Sequence, residues 1–173
     1  AIFEKCRNTP SGFYHNFDPS KTFEVDQKKR EHFWEELYAS PGFGIWLGNF
    51  RDTLSDEKAN LEFSNFVAKK IRQRVKSSEI AELLIPKDHG FGTRRVPMED
   101  GYYEVFNQDN VKLVNLEANP IIEVTEHGIL TQNQEYNFDI IIYATGFDAV
   151  TVSFDRIEFI GKDGISLKEK WEN

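Results

Sequence analysis

The run Phe138-Asp139-Ile140-Ile141-Ile142-Tyr143-Ala144 constrains this chain most. Its β-branched and aromatic residues suit a strand, and apolar residues at successive positions suit one covered on both faces. Such a strand belongs in the interior of a layered α/β fold. The expected fold class is therefore α/β, a helical N-terminal region on a partial mixed β-sheet.

The first half carries the helical period. Asp26 is a candidate N-cap, and Phe33, Trp34, Leu37 and Tyr38 recur at helical spacing to give one apolar face. Ser40-Pro41-Gly42 stops that helix. The stretch from Phe43 to Phe50 is too apolar for a free loop and predicts a buried turn or short helix. Ser55 can cap a second long helix with Asp56 and Glu57 in its first turn. Phe63, Phe66, Val67, Ile71 and Val75 form its buried stripe. Lys69, Lys70, Arg72, Arg74 and Lys76 load its C-terminal half, where they suit the helix dipole and read as a solvated face. A third, short helix around residues 79–84 ends before Pro86.

The period changes beyond Pro86. Val111–Val114 alternates like a strand. Residues 121–124 and 129–130 flank a His127-Gly128 turn, and residues 156–160 and 165–167 flank Gly161–Gly164, so two hairpins are expected. Gly101–Asn107, with Tyr102, Tyr103 and Phe106, reads more readily as core than as a site wall.

Charge and composition remove several functions. A net charge of −8 argues against general nucleic-acid or acidic-membrane binding. Cys6 is the single cysteine, which excludes an internal disulfide and fits a reducing, cytoplasmic setting. No apolar run approaches a membrane span. His15, His32, His89 and His127 are scattered without metal-ligand spacing, so no metal site is expected.

Two segments could carry chemistry. In Pro86–Arg95, Gly90 and Gly92 let backbone amides approach an anion, and Arg94 and Arg95 add forked, permanently charged donors. The same pattern also describes a surface loop whose arginines pair with carboxylates. In the second segment, Ala144-Thr145-Gly146 ends the expected strand with side chains small enough for a cofactor to pass the backbone. An ordinary strand–turn reads the same way.

Together these segments resemble the Baeyer–Villiger monooxygenases. The similarity rests on Gly92-Thr93-Arg94-Arg95, then on Tyr102-Tyr103-Glu104-Val105-Phe106-Asn107 with Asn110-Val111. It continues through Asp139–Ala149, and takes in Asn8–Phe13 and Ser166–Trp171. Ala-Thr-Gly is shared by many flavoproteins with two dinucleotide-binding domains; Gly-Thr-Arg-Arg at this separation from Ala-Thr-Gly-Phe-Asp-Ala is far more specific.

The resemblance implies an FAD- and NADPH-dependent monooxygenase. In that family a flavin peroxide inserts oxygen next to a ketone carbonyl to give an ester or lactone. It implies that Arg95 stabilises the anionic peroxide and contacts the nicotinamide cofactor. Arg94 takes the place of a lysine that contacts the NADP 2′-phosphate, and Ala144, Thr145 and Gly146 lie near the bound dinucleotides. Gly92 and Thr93 complete the cofactor-binding loop. The implied partners are a ketone and O2.

The implied domains are residues 1–85 as a helical insert, 86–155 as the end of the NADP-binding domain with the return strand toward the FAD domain, and 156–173 as a hairpin beginning the last FAD-domain part. Gly90 stands where proline is usual, which predicts a looser loop, and Val152 stands where glycine is common. The chain contains no Gly-x-Gly-x-x-Gly, has no initiator Met, and lacks the family's His- and Trp-containing motif. It therefore reads as an internal piece that is inactive alone, does not hold FAD firmly, and can self-associate through surface its missing portions would cover. Two rival readings remain: a relative that oxidises nitrogen or sulfur, and a non-enzymatic helical interaction module.

Overall fold

The computed structural model describes residues 1–9, 11–146, 154 and 157–171. These form two compact units, residues 1–115 and 116–173.

The first unit is helical. Following α1 (Ile2–Arg7) and a 3-10 turn (Thr22–Glu24), α2 spans Gln27–Ala39. Asp26 caps α2 as expected, its carboxylate accepting from the Lys29 amide at 3.1 Å. The apolar stretch after the Ser40–Gly42 stop becomes α3 (Gly44–Leu47). The long helix α4 runs Glu57–Arg74, and α5 covers Ser78–Leu84 before Pro86. The cap of α4 is Asp56 rather than Ser55: its side chain accepts from the Ala59 amide at 2.9 Å. Ser55 is instead in the preceding turn, where its amide and that of Asp56 both donate to the Asp52 carbonyl.

Two apolar clusters hold this unit. Trp34, Phe50, Phe63 and Phe66 form an aromatic one, with Phe63 fully buried. Ring centroids of Trp34–Phe63 lie 5.1 Å apart and of Trp34–Phe66 5.5 Å apart. Truncating a ring in such a site to alanine costs on the order of 3–5 kcal/mol. The indole Nε1–H of Trp34 donates to buried Asn49 at 3.0 Å, and the same Asn49 oxygen accepts from the Phe50 amide at 2.8 Å. The second cluster joins Ala68, Ile71 and Val75 of the α4 end to Ala81 and Ile85.

The basic half of α4 is less solvated than its charge pattern suggests. Lys70 pairs with Glu35 of α2 at 2.7 Å. Arg74 binds Glu99 and Glu104, each at 2.6 Å, and donates to the Tyr38 hydroxyl at 2.9 Å. Its guanidinium also lies over the Tyr103 ring, 4.9 Å from the centroid. Asn107 completes the joint by donating to the Arg74 carbonyl and accepting from the Lys76 amide, both at 2.7 Å. The Tyr102–Phe106 cluster is thus split: Tyr103 packs on the second apolar cluster, whereas Tyr102 is exposed.

The second unit holds an antiparallel sheet of order β1-β2-β3, with β1 Ile121–Val124, β2 Gly128–Thr131 and β3 Glu135–Asn137. The His127-Gly128 hairpin is where the sequence puts it; β3 is an addition. Residues 111–114 and 138–144 make no strand pairing. Ile140 and Ile142 are 79% and 84% exposed and Ile141 is half-buried, so the run expected to be covered on both faces is largely uncovered within the described residues. A strand exists through its ladder, and among the described residues no strand pairs with this run. The last hairpin is reduced to a bridge between Ile160 and Ser166, because Leu167 already begins α6 (Leu167–Trp171). No helix among the described residues is long and apolar enough to cross a membrane.

The Arg74 joint carries a pH dependence. Hydrogen bonds from Arg74 lower the pKa of both Glu99 and Glu104. A depressed carboxylate stabilises the fold above its ordinary value of 4.5 and loses that contribution as pH falls through the folded value. Thermal melts from pH 7 down to pH 3 are expected to show falling stability below that ordinary value. Glu99→Gln with Glu104→Gln should melt lower than the parent at pH 7 and respond less to acid; an unchanged acid slope would count against the joint.

Candidate functional site

The loop leading from α5 to the arginines is fastened to α4. Phe91 inserts its ring edge-on against Phe63, with centroids 4.7 Å apart. Its backbone is held on both sides: the Phe91 amide donates to the Ser64 hydroxyl at 3.0 Å, and its carbonyl accepts from Asn60 Nδ2 at 2.8 Å. Asn60 Nδ2 also donates to the Thr53 carbonyl at 2.9 Å. The loop then closes on itself, as Thr93 donates through Oγ1 to the Gly90 carbonyl at 2.8 Å.

Gly90 and Gly92 permit this approach. A Cβ at Gly90 would stand 1.9 Å from Asn60 Oδ1. The expected looseness from glycine at this position is therefore not found: Gly90 lies against α4, and a proline ring would collide with Asn60. Gly92 has φ +75°, and a Cβ there would meet Leu54 Cδ2 at 2.6 Å and Trp46 Nε1 at 3.2 Å. Trp46 Nε1 is buried and has no hydrogen-bond partner among the described residues.

The two arginines differ. Arg94 Nη2 pairs with Asp88 at 2.8 Å, and the other Asp88 oxygen meets His89 Nδ1 at 2.7 Å. The His89 hydrogen bond, with Arg94 nearby, lowers the Asp88 pKa. Arg95 is exposed and has no hydrogen-bond or ion-pair partner among the described residues. A guanidinium in that state has its forked donors available to an anion.

The remaining expected site residues lie in the other unit. Ala144, Thr145 and Gly146 are exposed, and Gly146 adopts φ +91° with open space where a Cβ would project. Phe147, Asp148, Ala149 and Val152 fall outside the described residues. Among the described residues no group of His, Cys, Asp or Glu could hold a metal ion.

Sequence reasoning missed Asn60, Ser64 and the anchoring role of Phe91. The available signal was faint: Asn60 and Ser64 stand one turn apart on α4, beside the apolar stripe rather than opposite it. The alternative of arginines paired with carboxylates holds for Arg94, which pairs with Asp88, and not for Arg95 among the described residues.

No family model matches the chain. Similar proteins do. Over 99% of its length the chain is 53% identical to the 2-oxo-Δ3-4,5,5-trimethylcyclopentenylacetyl-CoA monooxygenase of Pseudomonas putida, covering 31% of that protein. It is 41% identical to the cyclopentanone 1,2-monooxygenase of a Comamonas species over its full length, covering 32% of that protein. The phenazine N-monooxygenase of Lysobacter antibioticus is 39% identical over 87% of the chain and 27% of that protein. The crystal structure of OTEMO in complex with FAD and NADP matches with a TM-score of 0.92, 53% identity and coverage of 99% of this chain and 32% of that one. An oxidized steroid monooxygenase bound to NADP matches with a TM-score of 0.89 at 39% identity, over 98% of this chain and 32% of that one. The chain thus spans about a third of the length of the proteins it matches.

The close fit at Gly92 predicts the effect of filling it. Gly92→Ala should destabilise the helical unit by about 1–3 kcal/mol, because it adds both a strained φ and a clash with Leu54. Urea denaturation measures this; parental stability in the variant would show that the loop is not held as described.

Proposed function

We propose that the chain is part of a Baeyer–Villiger monooxygenase, about a third of which it spans, and that in the full-length protein it carries the cationic loop of an FAD- and NADPH-dependent ketone oxidation. The product would be an ester or lactone. The observation that carries this reading is the state of Arg95: exposed, unpaired among the described residues, and on a loop fixed to a buried aromatic core.

The residues fit the cofactors in part. The chain has no Gly-x-Gly-x-x-Gly, so it does not itself contain the usual phosphate cradle. The first unit offers two guanidinium groups, at Arg94 and Arg95, beside glycine-opened backbone at Gly92, and the second offers, separately, glycine-opened backbone at Gly146. When bound, FAD and NADPH supply the electrons that activate O2. Arg95 then places permanent positive charge where anionic oxygen develops, and a preorganised charge of this kind costs no reorganisation. Arg94 would contact the 2′-phosphate of NADP, releasing Asp88. Gly92 and Thr93 set the direction of the two arginines, and Ala144, Thr145 and Gly146 would let a dinucleotide pass close to the backbone.

The domain assignment follows the same reading: residues 1–85 as a helical insert, 86–155 as the end of the NADP-binding domain with the return strand, and 156–173 as the start of the last FAD-domain part. The exposed apolar run at residues 140–143 would find its cover in the rest of the protein, and without that cover it favours self-association. A ketone and O2 are the proposed substrates, and a reducing cytoplasm the proposed setting. The similarity to a phenazine N-monooxygenase supports nitrogen oxidation as the second reading.

Arg95→Ala in the full-length protein is expected to retain bound FAD, read by its absorbance, and to lose ketone oxygenation by about 100-fold or more. Normal product yield in that variant would end the assignment. Turnover of an amine without any ketone turnover would select the second reading.

A further inference from the structure

We infer that Asn60, with Ser64, is a positioning residue for Arg95, acting through the backbone of the loop rather than by touching the reacting atoms. The inference rests on the role proposed for Arg95 and adds the device that would hold that charge in place.

Asn60 sits at the centre of the attachment. One amide nitrogen donates to two backbone carbonyls, Thr53 at 2.9 Å and Phe91 at 2.8 Å. Those carbonyls belong to segments on either side of the first turns of α4, so one side chain ties the chain entering the helix to the loop leaving α5. Ser64 hydroxyl accepts from the Phe91 amide at 3.0 Å and is 3.4 Å from Asn60 Oδ1 as a donor. Both polar groups of the Phe91 peptide unit flanks are therefore taken by α4, while its ring is taken by Phe63.

The fit is tight enough to be specific. Gly90 comes so close to Asn60 that no Cβ can be accommodated, and Gly92 is equally confined by Leu54 and Trp46. Three successive residues, Gly90, Phe91 and Gly92, thus rest on a rigid surface. Arg95 follows after Thr93 and Arg94 and has no partner of its own among the described residues. With no hydrogen bond or ion pair among the described residues to orient it, its placement is inherited from the segment that precedes it. Displacing a charge by about 1 Å from a reacting centre can cost on the order of 100-fold in rate.

Asn60→Asp separates this from simple packing. The substitution preserves shape but replaces the donating amide by an oxygen facing two carbonyls. Ser64→Ala removes the acceptor for the Phe91 amide, and Ser64→Thr restores a hydroxyl. Ile71→Val, in the other apolar cluster, serves as a control for stability loss without a loop contact. Each is made in the full-length protein. Hydrogen exchange of residues 91–95, measured without added NADPH, reads the attachment directly. Asn60→Asp and Ser64→Ala should raise it about tenfold, while Ser64→Thr and Ile71→Val leave it unchanged.

The same two loosened variants should lower kcat by about 10- to 100-fold with ketone KM changed little, and lower the yield of oxygenated product per NADPH consumed. Parental exchange in Asn60→Asp would overturn the inference. So would faster exchange with parental kcat and product yield, provided Arg95→Ala is inactive; in that case the Arg95 assignment survives alone. An active Arg95→Ala variant would overturn both.

Discussion

The edge-on contact between Phe91 and Phe63 is where the architecture and the chemistry of this chain meet. Phe63 is the buried centre of the aromatic cluster that joins α2, α3 and α4. Phe91 belongs to the loop that ends in two arginines. Burying the second ring against the first removes the loop's freedom to leave the helical surface, and the Asn60 and Ser64 hydrogen bonds then fix its direction. A flexible surface loop can carry an arginine; it cannot hold one within the tolerance that stabilising a developing charge requires. In the proposed reading, a helical unit packed around aromatic rings serves as a base plate for the short loop that carries Arg94 and Arg95.

The electrostatics follow the same division. Several charges in the helical unit are engaged with each other: Lys70 with Glu35, Arg72 with Glu82, and Arg74 with Glu99 and Glu104. Arg72 and Lys87 together draw the Glu82 carboxyl down to about 2. Even Arg94 has a carboxylate partner in Asp88. Arg95 is exposed and has no such partner among the described residues, a state it shares with Arg7, and it differs from Arg7 in following a loop fastened to α4.

The sequence made the helical half readable because its signals are local. Capping at Asp26, the stop at Ser40–Gly42 and the Phe63–Ile71 stripe depend on neighbours within a few turns. The errors there are small, such as the cap at Asp56 in place of Ser55, where a turn around Asp52 decided the matter. The β half was read less well. Residues 138–144 have the composition of a central strand, but a strand needs non-local partners, and no strand pairs with this run among the described residues. At the site, the arginines and glycines were legible as types. The contacts that give them direction were not, since Asn60 and Ser64 meet Phe91 across about 30 residues of sequence and carry no pattern of their own.

The central claim is that the loop on α4 directs Arg95 at the bound cofactors. A crystal structure of the full-length protein with FAD and NADP tests it most directly. The account predicts Phe91 seated on Phe63, Asn60 bonded to the Phe91 carbonyl, and the Arg95 guanidinium within hydrogen-bonding distance of a dinucleotide. Arg95 turned to solvent or paired with a protein carboxylate, with the cofactors bound elsewhere, would contradict it.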